Sequence, residues 1–407
     1  MTRRGGKSDA ITGGYVHEVT GGRYPWVAVL DFKSMYPSIM ISNNICHTTR
    51  VDKDDSSTEV NQSPSGTKFL KKEVREGLVP RLLENLMTQR DHHKAMMKSV
   101  TDESDRLFHD QMQFAVKILM NTFYGVFASA FYRFTHPDIG SAITAWARSN
   151  IKKIIQSLED DGHPVVYSDT DSIFVSSPEE GKDALVDFGH ELASRFTAEG
   201  AELEFEKGLS VFFSHGAKKR YVGRVVWPED DLLIRGYEVR RTDSFDLLNK
   251  TMMETFERIL DGDEEGAYKH VVSLIRSVKA GEVDVADLIL SRSCKGKVLK
   301  DGTVDFSVYS NPDGLPYVQA AKKRIARGLQ FTPGMKVSYI VTAAKGVDGR
   351  QTVEPWLVAE TGDPPPIPDW SFYAERLARA MGRITEVYGW TQKDLLAGSR
   401  QQTFDFF

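Results

Sequence analysis

Two places in the chain combine apolar runs with acidic residues. The apolar run from Trp26 to Leu30 predicts a buried strand that ends at Asp31. Farther on, Val165–Tyr167 and Ile173–Val175 are apolar segments separated by Ser-Asp-Thr-Asp-Ser, a pattern that predicts a hairpin with acidic residues at its tip. The pattern therefore places carboxylates at the ends of strands.

Helical periodicity dominates the segments between these strands. The predicted helices cover residues 34–43, about 79–100, about 104–128 and about 137–158. Pro37 is tolerated because it falls in the first turn of its helix. The second and third helices are long enough to pack as an antiparallel pair that projects from the body of the protein.

Turn-rich and mixed patterns separate the remaining segments. Residues 52–66 are polar and predict a surface loop. Tyr221–Val226 and Leu232–Val239 predict a strand pair joined by Trp-Pro-Glu-Asp-Asp. From about Thr242 onward the pattern is mostly helical, and the Pro-rich run 364–368 predicts a stiff connector.

Composition narrows the class of protein. With 407 residues, 41% apolar and 27% charged, the chain is long enough for two or three globular domains. A net charge of −5 argues against a protein that coats nucleic acid through bulk positive charge. Residues 295–336 nevertheless contain eight Lys or Arg against three Asp, so a phosphate backbone is expected there.

The cysteine content and the hydropathy of the chain indicate the cellular compartment. Cys46 and Cys294 are the two cysteines, and they form no paired Cys/His spacing, so neither a disulfide framework nor a zinc site is supported. No apolar run approaches the roughly 20 residues of a membrane span, and the first residues lack the apolar stretch of a secretion signal. We expect a soluble cytoplasmic protein that does not bind membranes.

The acidic residues suggest a divalent metal site. Mg²⁺ prefers oxygen ligands and is usually held by one or two carboxylates together with substrate phosphates. If their strands are neighbours in one sheet, Asp31 and Asp171 reach the same edge, and Asp169 lies on the same side of an extended strand as Asp171. For a lone Asp-x-Asp, capping of a turn is the ordinary explanation. Here the motif is one of three short motifs, which begin at Asp31, Lys117 and Tyr167 and follow one another along the chain.

The helical pair supplies the complementary groups. Lys117, Asn121 and Tyr124 fall at i, i+4 and i+7 and share one helix face beside Gly125, which leaves room for close approach. On the preceding helix, Arg90 and Lys94 add two cations at i and i+4 for the phosphates of a nucleotide. A solvated helix face is the alternative for these cations, and core packing is the alternative for Tyr124.

Three motifs in order resemble those of the family B DNA polymerases. They are Asp31-Phe-Lys-Ser-Met-Tyr-Pro-Ser38 for motif A, Lys117-Ile-Leu-Met-Asn-Thr-Phe-Tyr-Gly125 for motif B and Tyr167-Ser-Asp-Thr-Asp-Ser172 for motif C, and the archaeal type looks closest. The resemblance implies an α+β right-hand fold with an antiparallel palm sheet, helical-hairpin fingers and a mostly helical thumb. It implies a palm at 1–78 and 129–241, fingers at 79–128 and a thumb at 242–407.

The resemblance also assigns roles to individual residues. The implied catalytic residues are Asp31, Asp171 and Asp169. The implied metal ligands for two Mg²⁺, with Mn²⁺ as a substitute, are Asp31, Asp171 and the carbonyl of Phe32. The implied nucleotide-binding residues are Phe32, Ser34, Met35, Tyr36, Arg90, Lys94, Lys117, Asn121 and Tyr124, with Tyr36 as the steric gate that excludes a 2′-hydroxyl. The implied DNA-binding residues are Gly125, Thr170, Lys218, Lys219, Arg220, Tyr221, Arg240 and Arg241.

These assignments imply a DNA-directed DNA polymerase that binds primer-template DNA and dNTPs and is associated with the nucleoid. The tail 401–407 resembles a sliding-clamp binding motif shortened by one position, with a disordered tail as the alternative. Motif A begins at Asp31, so the amino-terminal and 3′–5′ exonuclease domains of the family are expected to be absent. The open alternatives are half of a split polymerase that needs a separate amino-terminal exonuclease chain, or a non-catalytic scaffold subunit.

Overall fold

The strands that carry the acidic residues belong to one six-stranded sheet. The computed structural model describes residues 11–17, 20–51, 59–129, 132–237, 244–346 and 349–399. The chain divides into two compact units, of which the first comprises residues 1–19, 24–211 and 224–231 and the second residues 20–23, 212–223 and 232–407.

The elements up to residue 235 form this sheet and the helices around it. In chain order they are β1 (Gly22–Phe32), α1 (Met35–Ser42), β2 (Arg50–Val51), β3 (Val60–Gln62), β4 (Lys68–Leu70), α2 (Leu78–Ser99), α3 (Glu103–Ala128), α4 (Pro137–Asp160), β5 (Val165–Asp169), β6 (Ser172–Ser176), α5 (Lys182–Ala198), β7 (Leu203–Ser214), β8 (Tyr221–Trp227) and β9 (Asp231–Arg235). The main sheet has strand order β5-β6-β1-β7-β8-β9, and β2-β4-β3 form a smaller sheet.

Apolar burial and capping explain why these elements form. In β1, residues 27–30 are at most 2% exposed, because the strand lies in the middle of the sheet. α2 and α3 pack along each other. α3 begins where the Asp102 carboxylate accepts hydrogen bonds from the backbone N–H of Ser104 (2.9 Å) and Asp105 (3.0 Å). One core, which includes residues of β1, β6, α1, α4 and α5, holds the strands that carry the acids.

The elements after residue 244 form most of the second unit. In chain order they are α6 (Asp246–Asp261), α7 (Glu264–Ala280), β10 (Leu290–Ser293), β11 (Lys297–Val298), β12 (Val304–Asp305), α8 (Pro316–Ala326), β13 (Lys336–Ala343), β14 (Thr352–Pro355), α9 (Val358–Thr361), α10 (Trp370–Thr385) and α11 (Gln392–Ala397). α7 packs against α6, α10 and α11, while α8 packs against the three-stranded sheet β10-β13-β14.

The four predicted helices and the predicted acidic hairpin are confirmed, with boundaries shifted by a few residues. Two expectations need correction. The surface loop 52–66 contains strand β3, and its residues 52–58 lie outside the described part. The strand predicted at 232–239 ends at Arg235. The segment after residue 242 is mostly helical, as expected, and its described part also contains five strands, of which all but β13 are too short to show a periodicity.

The elements α5 and β7 and the short strands β2 and β4 had no predicted counterpart. No helix in the described ranges is both long and apolar enough to cross a membrane.

Candidate active site

Strand pairing brings the two predicted metal-binding carboxylates together. β1 and β6 pair antiparallel with Asp31 opposite Ser172, so Asp171 at the hairpin tip lies next to the end of β1. The backbone N–H of Phe32 donates a 2.9 Å hydrogen bond to the carbonyl of Asp171. The expected proximity of Asp31 and Asp171 required neighbouring strands, and β1 and β6 are neighbours.

The Asp169-Thr170-Asp171 segment is a tight turn. The N–H of Asp171 donates to the Asp169 carbonyl across 2.7 Å, and Thr170 has a left-handed φ of 61°. Such a φ is strained for a β-branched residue. The spacing of Asp169 and Asp171 predicted that both lie on one side of an extended strand. That expectation is wrong, because the chain reverses between them.

Neighbouring backbone holds this turn in place. The Thr170 N–H donates a 2.9 Å hydrogen bond to the Tyr15 carbonyl, and the N–H of His17 donates to the Ser168 carbonyl at 3.1 Å. A Cβ at Gly14 would lie 2.8 Å from Oγ1 of Thr170, so the segment before the turn approaches closely only because it has no side chain there. The left-handed conformation is thus supported from outside the hairpin.

Burial and mutual repulsion perturb both carboxyl groups. Burial raises the pKa of Asp31 to about 8, and the nearby charges of Asp171 and Glu206 add to that shift. Burial likewise raises the pKa of Asp171, with further contributions from Asp169 and Glu206. Lys117 opposes the pKa shift of both groups. Two neighbouring carboxyl groups that repel each other when both are ionised are the arrangement that a bound cation would stabilise.

Glu204 and Glu206 on β7 are candidate site residues that the sequence reasoning missed. They line the same cavity as Asp31 and Asp171. Their signal is an alternation in which Leu203 and Phe205 are buried while Glu204 and Glu206 are exposed, the period of a half-buried strand. Reading residues 202–206 as a strand would have placed these acids on one face.

The helical hairpin forms the opposite wall of this cavity. Lys117, Asn121 and Tyr124 of α3 all line it, as expected from their shared helix face. The ring of Tyr36 stacks on that of Tyr124, with centroids 4.3 Å apart and planes at 30°. Burial raises the pKa of the Tyr36 hydroxyl to about 12, so this hydroxyl stays neutral at physiological pH.

Arg90 is the most deeply buried cation of the wall. It is 8% exposed, and its Nη1 donates a 3.0 Å hydrogen bond to Oγ of Ser34. Its Nε is buried without a hydrogen-bond partner among the described residues. A buried donor without a partner is costly, and a phosphate oxygen in the cavity would satisfy it.

Lys94 lies slightly apart from this wall. Its Nζ is 3.7 Å from a carboxylate oxygen of Glu204, and burial lowers its pKa. Lys33, which sequence reasoning did not single out, donates to Asp91 at 3.1 Å. The predicted phosphate-binding cations are thus drawn from two helices, with Lys94 already engaged by an acid.

The cavity gathers most of the predicted residues. Its volume is about 360 Å³. The predicted residues that line it are Asp31, Phe32, Ser34, Met35, Tyr36, Arg90, Lys117, Asn121, Tyr124, Thr170 and Asp171. The predicted residues Lys94, Gly125 and Asp169 do not line it, whereas Lys33, Glu204 and Glu206 do.

These donors suit a divalent cation held jointly by protein and substrate. No group of three or more His, Cys, Asp or Glu side chains suited to a metal occurs in the described ranges. The described side chains therefore do not supply a complete set of metal ligands by themselves. Two carboxylates with open positions left for phosphate oxygens match the way proteins hold Mg²⁺.

A pH effect on stability follows from the raised pKa of Asp31. The native state holds this proton up to about pH 8, whereas the ordinary value of 3.8 applies after unfolding. Stability without divalent cations should therefore fall as pH rises from about 4 to 8, by at most about 1.4 kcal/mol per pH unit. Denaturant unfolding with a chelator should show this slope, and Asp31→Asn should flatten it. Equal slopes in both proteins would refute the assignment.

Of the residues predicted to contact DNA, Lys218, Lys219 and Arg220 lie in the turn before β8 in the second unit, and Tyr221 is the first residue of β8. Lys219 has a left-handed φ of 66°. The ring of Tyr221 is buried and packs at 5.5 Å from that of Phe212, so it does not offer an exposed face to a ligand. The predicted DNA-binding residues Arg240 and Arg241 and the predicted clamp motif at 401–407 lie outside the described residues.

Gly236 supports this turn through a close backbone approach. A Cβ at this position would lie 1.9 Å from the carbonyl oxygen of Lys219, and its φ is +73°. We expect Gly236→Ala to reduce the free energy of unfolding by roughly 1–3 kcal/mol more than Gly328→Ala. Gly328 has a similar φ of +76°, but a Cβ there meets nothing within 4 Å. Thermal unfolding of the two variants separates the clash from the backbone strain, and equal losses would contradict the close approach.

Known proteins resemble this chain over nearly its whole length. The sequence model of DNA polymerase family B matches residues 1–387. The chain is 31% identical to the DNA polymerase of Thermococcus sp. (strain 9oN-7), covering 97% of this chain and 48% of that protein. It is 30% identical to the DNA polymerase of Thermococcus gorgonarius, covering 96% and 49%, and 30% identical to the DNA polymerase delta catalytic subunit of Oryza sativa subsp. japonica, covering 96% and 37%.

A solved structure shows the same likeness in three dimensions. The family B DNA polymerase from the hyperthermophilic archaeon Pyrobaculum calidifontis superposes with a TM-score of 0.67 at 26% identity, covering 95% of this chain and 48% of that chain. The chain spans about half the length of the curated archaeal relatives named above.

Proposed function

Because this chain belongs to DNA polymerase family B, we propose that it adds deoxynucleoside monophosphates to a primer 3′-hydroxyl under the direction of a template, with release of pyrophosphate. One observation carries the proposal. A single cavity joins the acids Asp31 and Asp171 to the cations Arg90 and Lys117. That combination suits a metal-bound triphosphate, which needs oxygen ligands on one side and positive charge on the other.

The parts of a right-hand polymerase are assigned on the same basis. We assign residues 1–78 and 129–241 to the palm, 79–128 to the fingers and 242–407 to the thumb. In favour of the fingers assignment, α2 and α3 pack as a hairpin whose residues Arg90, Lys117 and Asn121 line the cavity. The palm assignment is supported by the sheet that carries the acids.

Within the cavity, the protein binds and orients the nucleotide. Arg90 and Lys117 neutralise the triphosphate, and the guanidinium of Arg90 is prepositioned by its hydrogen bond to Ser34. Tyr36, stacked on Tyr124, forms a flat wall for the sugar and the base pair. Asn121, one turn after Lys117 on the cavity face of α3, would hydrogen-bond the incoming nucleotide.

The acids would hold the divalent cations. Two divalent cations, when bound to Asp31, Asp171 and the Phe32 carbonyl, would stabilise the charge that develops on the attacking and leaving oxygens. Asp169 supports the turn, since its Oδ1 accepts a 3.1 Å hydrogen bond from Oγ1 of Thr170. A bound cation would offset the repulsion from Asp171 that contributes to the raised pKa of Asp31, and would favour the ionised form of both acids.

Primer-template DNA is expected to pass beside the cavity. Gly125, one residue after Tyr124 on α3, is a point where an added Cβ would meet nothing within 4 Å. A strand can therefore approach the helix backbone closely at this point. Lys218, Lys219 and Arg220 would contact phosphates, which fixes register without reading sequence.

Primer extension by the purified chain, with Mg²⁺ and all four deoxynucleotides, tests the proposal. We expect stepwise, template-complementary extension that requires the divalent cation. A folded chain that binds primer-template but does not extend it, with Mg²⁺ or with Mn²⁺, would refute a self-sufficient polymerase.

The chain length supports one alternative. Because the chain spans about half of its archaeal relatives, the second candidate is the catalytic half of a polymerase that needs a separate amino-terminal chain with exonuclease activity. Extension that appears only after addition of such a chain would favour it. The clamp contact through residues 401–407 stays a prediction, which deletion of that tail and clamp binding would test.

A further inference from the structure

Residues 11–17 (the glycine segment) contact both helix α4 and the turn at 169–171 (the acidic turn) within the first unit. Val16 of this segment forms an antiparallel bridge with Asp169. Two backbone hydrogen bonds between the segment and the end of β5 flank this bridge. The glycine segment therefore pairs with the hairpin directly beside its acidic turn.

Side chains of α4 hold the glycine segment. Nη1 of Arg148 donates two hydrogen bonds to backbone carbonyl oxygens, at 2.7 Å to Thr12 and at 2.8 Å to Gly13. Hydrogen bonds from a charged donor are stronger than those between neutral groups. One turn later on the helix, Nζ of Lys152 lies 5.1 Å from the centroid of the Tyr15 ring, within the range of a cation–π contact. These contacts tie the backbone of the segment to the helix.

Helix α4 is a suitable support because it belongs to the core of the first unit. Its buried face includes Ile143, Ala147 and Ile151, which are at most 1% exposed. A Cβ at Gly140 would lie 2.8 Å from Cδ1 of Ile11, so the first turn of the helix also packs closely on the glycine segment. The arginine therefore extends from a helix backbone that close packing holds in place.

The acidic turn needs support from outside the hairpin because Thr170 has a left-handed φ. This conformation is unfavourable for a β-branched residue and persists only where surrounding contacts impose it. Two such contacts are the hydrogen bond from the Thr170 N–H to the Tyr15 carbonyl and the close approach of Gly14 to the Thr170 side chain. Both depend on the position of the glycine segment, which Arg148 holds without lining the nucleotide cavity itself.

We propose that Arg148 is a positioning residue for nucleotide transfer, which holds the glycine segment against the acidic turn and thereby places Asp171 for the divalent cation. This inference rests on the proposed function. A direct contact from Arg148 to a DNA phosphate is the alternative. The positioning role is favoured because Nη1 already donates to two carbonyl oxygens of the segment.

Amide hydrogen exchange of the full chain, without substrate or divalent cation, tests the support of the turn. The variant is Arg148→Met, and Lys153→Met is the matched control because it removes an exposed cation from the same helix. Arg148→Met should speed exchange of the Thr170 and His17 amides by about tenfold, since both hydrogen bonds open when the segment moves. Exchange in β1 should stay at the parental rate, and Lys153→Met should change neither region. Thermal unfolding checks that both variants are folded.

Single-turnover primer extension measures the consequence for the reaction. At saturating nucleotide, Arg148→Met should lower the rate by on the order of 10- to 100-fold, because a small displacement of a metal-binding acid is costly. The Mg²⁺ concentration that gives half the maximal rate should rise, whereas primer-template affinity should stay within about twofold. Arg148→Lys keeps a charged donor and should recover part of the rate. Lys153→Met should extend primers at the parental rate.

Thr170→Asn separates positioning of the turn from a general structural role. Asparagine adopts a left-handed φ more readily than a β-branched residue, so the turn in this variant needs less support from outside. Arg148→Met should therefore reduce the extension rate several-fold less in the Thr170→Asn background than in the parental chain. Equal losses in the two backgrounds would overturn the proposal.

Two further results would overturn it. One is unchanged exchange of the Thr170 amide in Arg148→Met together with weaker primer-template binding and a smaller salt dependence, which would assign the arginine to DNA contact. The other is an unchanged rate and Mg²⁺ requirement in a folded Arg148→Met variant. A parental chain that extends no primer would refute the proposed function, whereas exchange of the Thr170 amide would still decide whether Arg148 holds the turn.

Discussion

Replacing Asp31 and Asp171 together by asparagine is expected to abolish primer extension while leaving the fold intact. The loss should reach on the order of 10³-fold or more, because neutral asparagine side chains would no longer hold the divalent cations that stabilise the charge at the reacting phosphate. The fold should tolerate the change, since burial and mutual repulsion raise the pKa of both groups. Removing these charges relieves repulsion rather than breaking an ion pair.

The measurement is single-turnover primer extension, with primer-template affinity and thermal unfolding recorded beside it. Glu199→Gln is a suitable control. It removes an acid of the same unit that pairs with Arg195 at 3.2 Å and does not line the nucleotide cavity. A well-folded double variant that extends primers at the parental rate would refute the assignment of this acid pair to catalysis.

Tyr36→Ala is expected to raise ribonucleotide incorporation relative to deoxynucleotide incorporation by on the order of 100-fold. The Tyr36 ring lies against Tyr124 with centroids 4.3 Å apart, so it has little room to move away from an added 2′-hydroxyl. Forcing extra atoms into such a packed space costs about 1–3 kcal/mol, and truncation to alanine removes this cost. The two substrates compete for one site, so the ratio of their kcat/KM values is the quantity to measure.

Tyr36→Phe is the matched control because it keeps the ring and removes only the hydroxyl. It should preserve the discrimination between the two sugars. Unchanged discrimination in Tyr36→Ala would reject the steric gate, whereas equal loss in both variants would assign selection to the hydroxyl group instead.

The local pattern of apolar and polar residues predicted the position of a side chain correctly where that position depends only on its own helix or strand. Lys117, Asn121 and Tyr124 were placed on one face by helical spacing alone, and the structure sets all three along one cavity. The acidic hairpin was recognised from its apolar flanks, since a short polar segment between two such runs has few other conformations. The prediction that Asp169 and Asp171 lie on one side of an extended strand was wrong, because a three-residue turn reverses the chain between them.

The order of the strands in the sheet could not be predicted from local sequence patterns. The pairing of β1 with β6 joins residues more than 140 positions apart, and no local signal specifies it. The acids on β7 were overlooked for the same reason. Glu204 and Glu206 gain significance only because β7 is the neighbour of β1 on the side opposite to β6.

The amino-acid sequence alone specified which reactive side chains the protein has and where its main helices and strands lie. It specified the carboxylates at strand ends, the cations on two helices and the tyrosine of motif A, because these depend on residue type and short-range periodicity. The tertiary structure decided which of these groups share a cavity, how deeply Asp31 and Arg90 are buried and how their charges act on one another. Burial and electrostatic interaction depend on distances through space, which long-range strand and helix packing sets and local sequence does not.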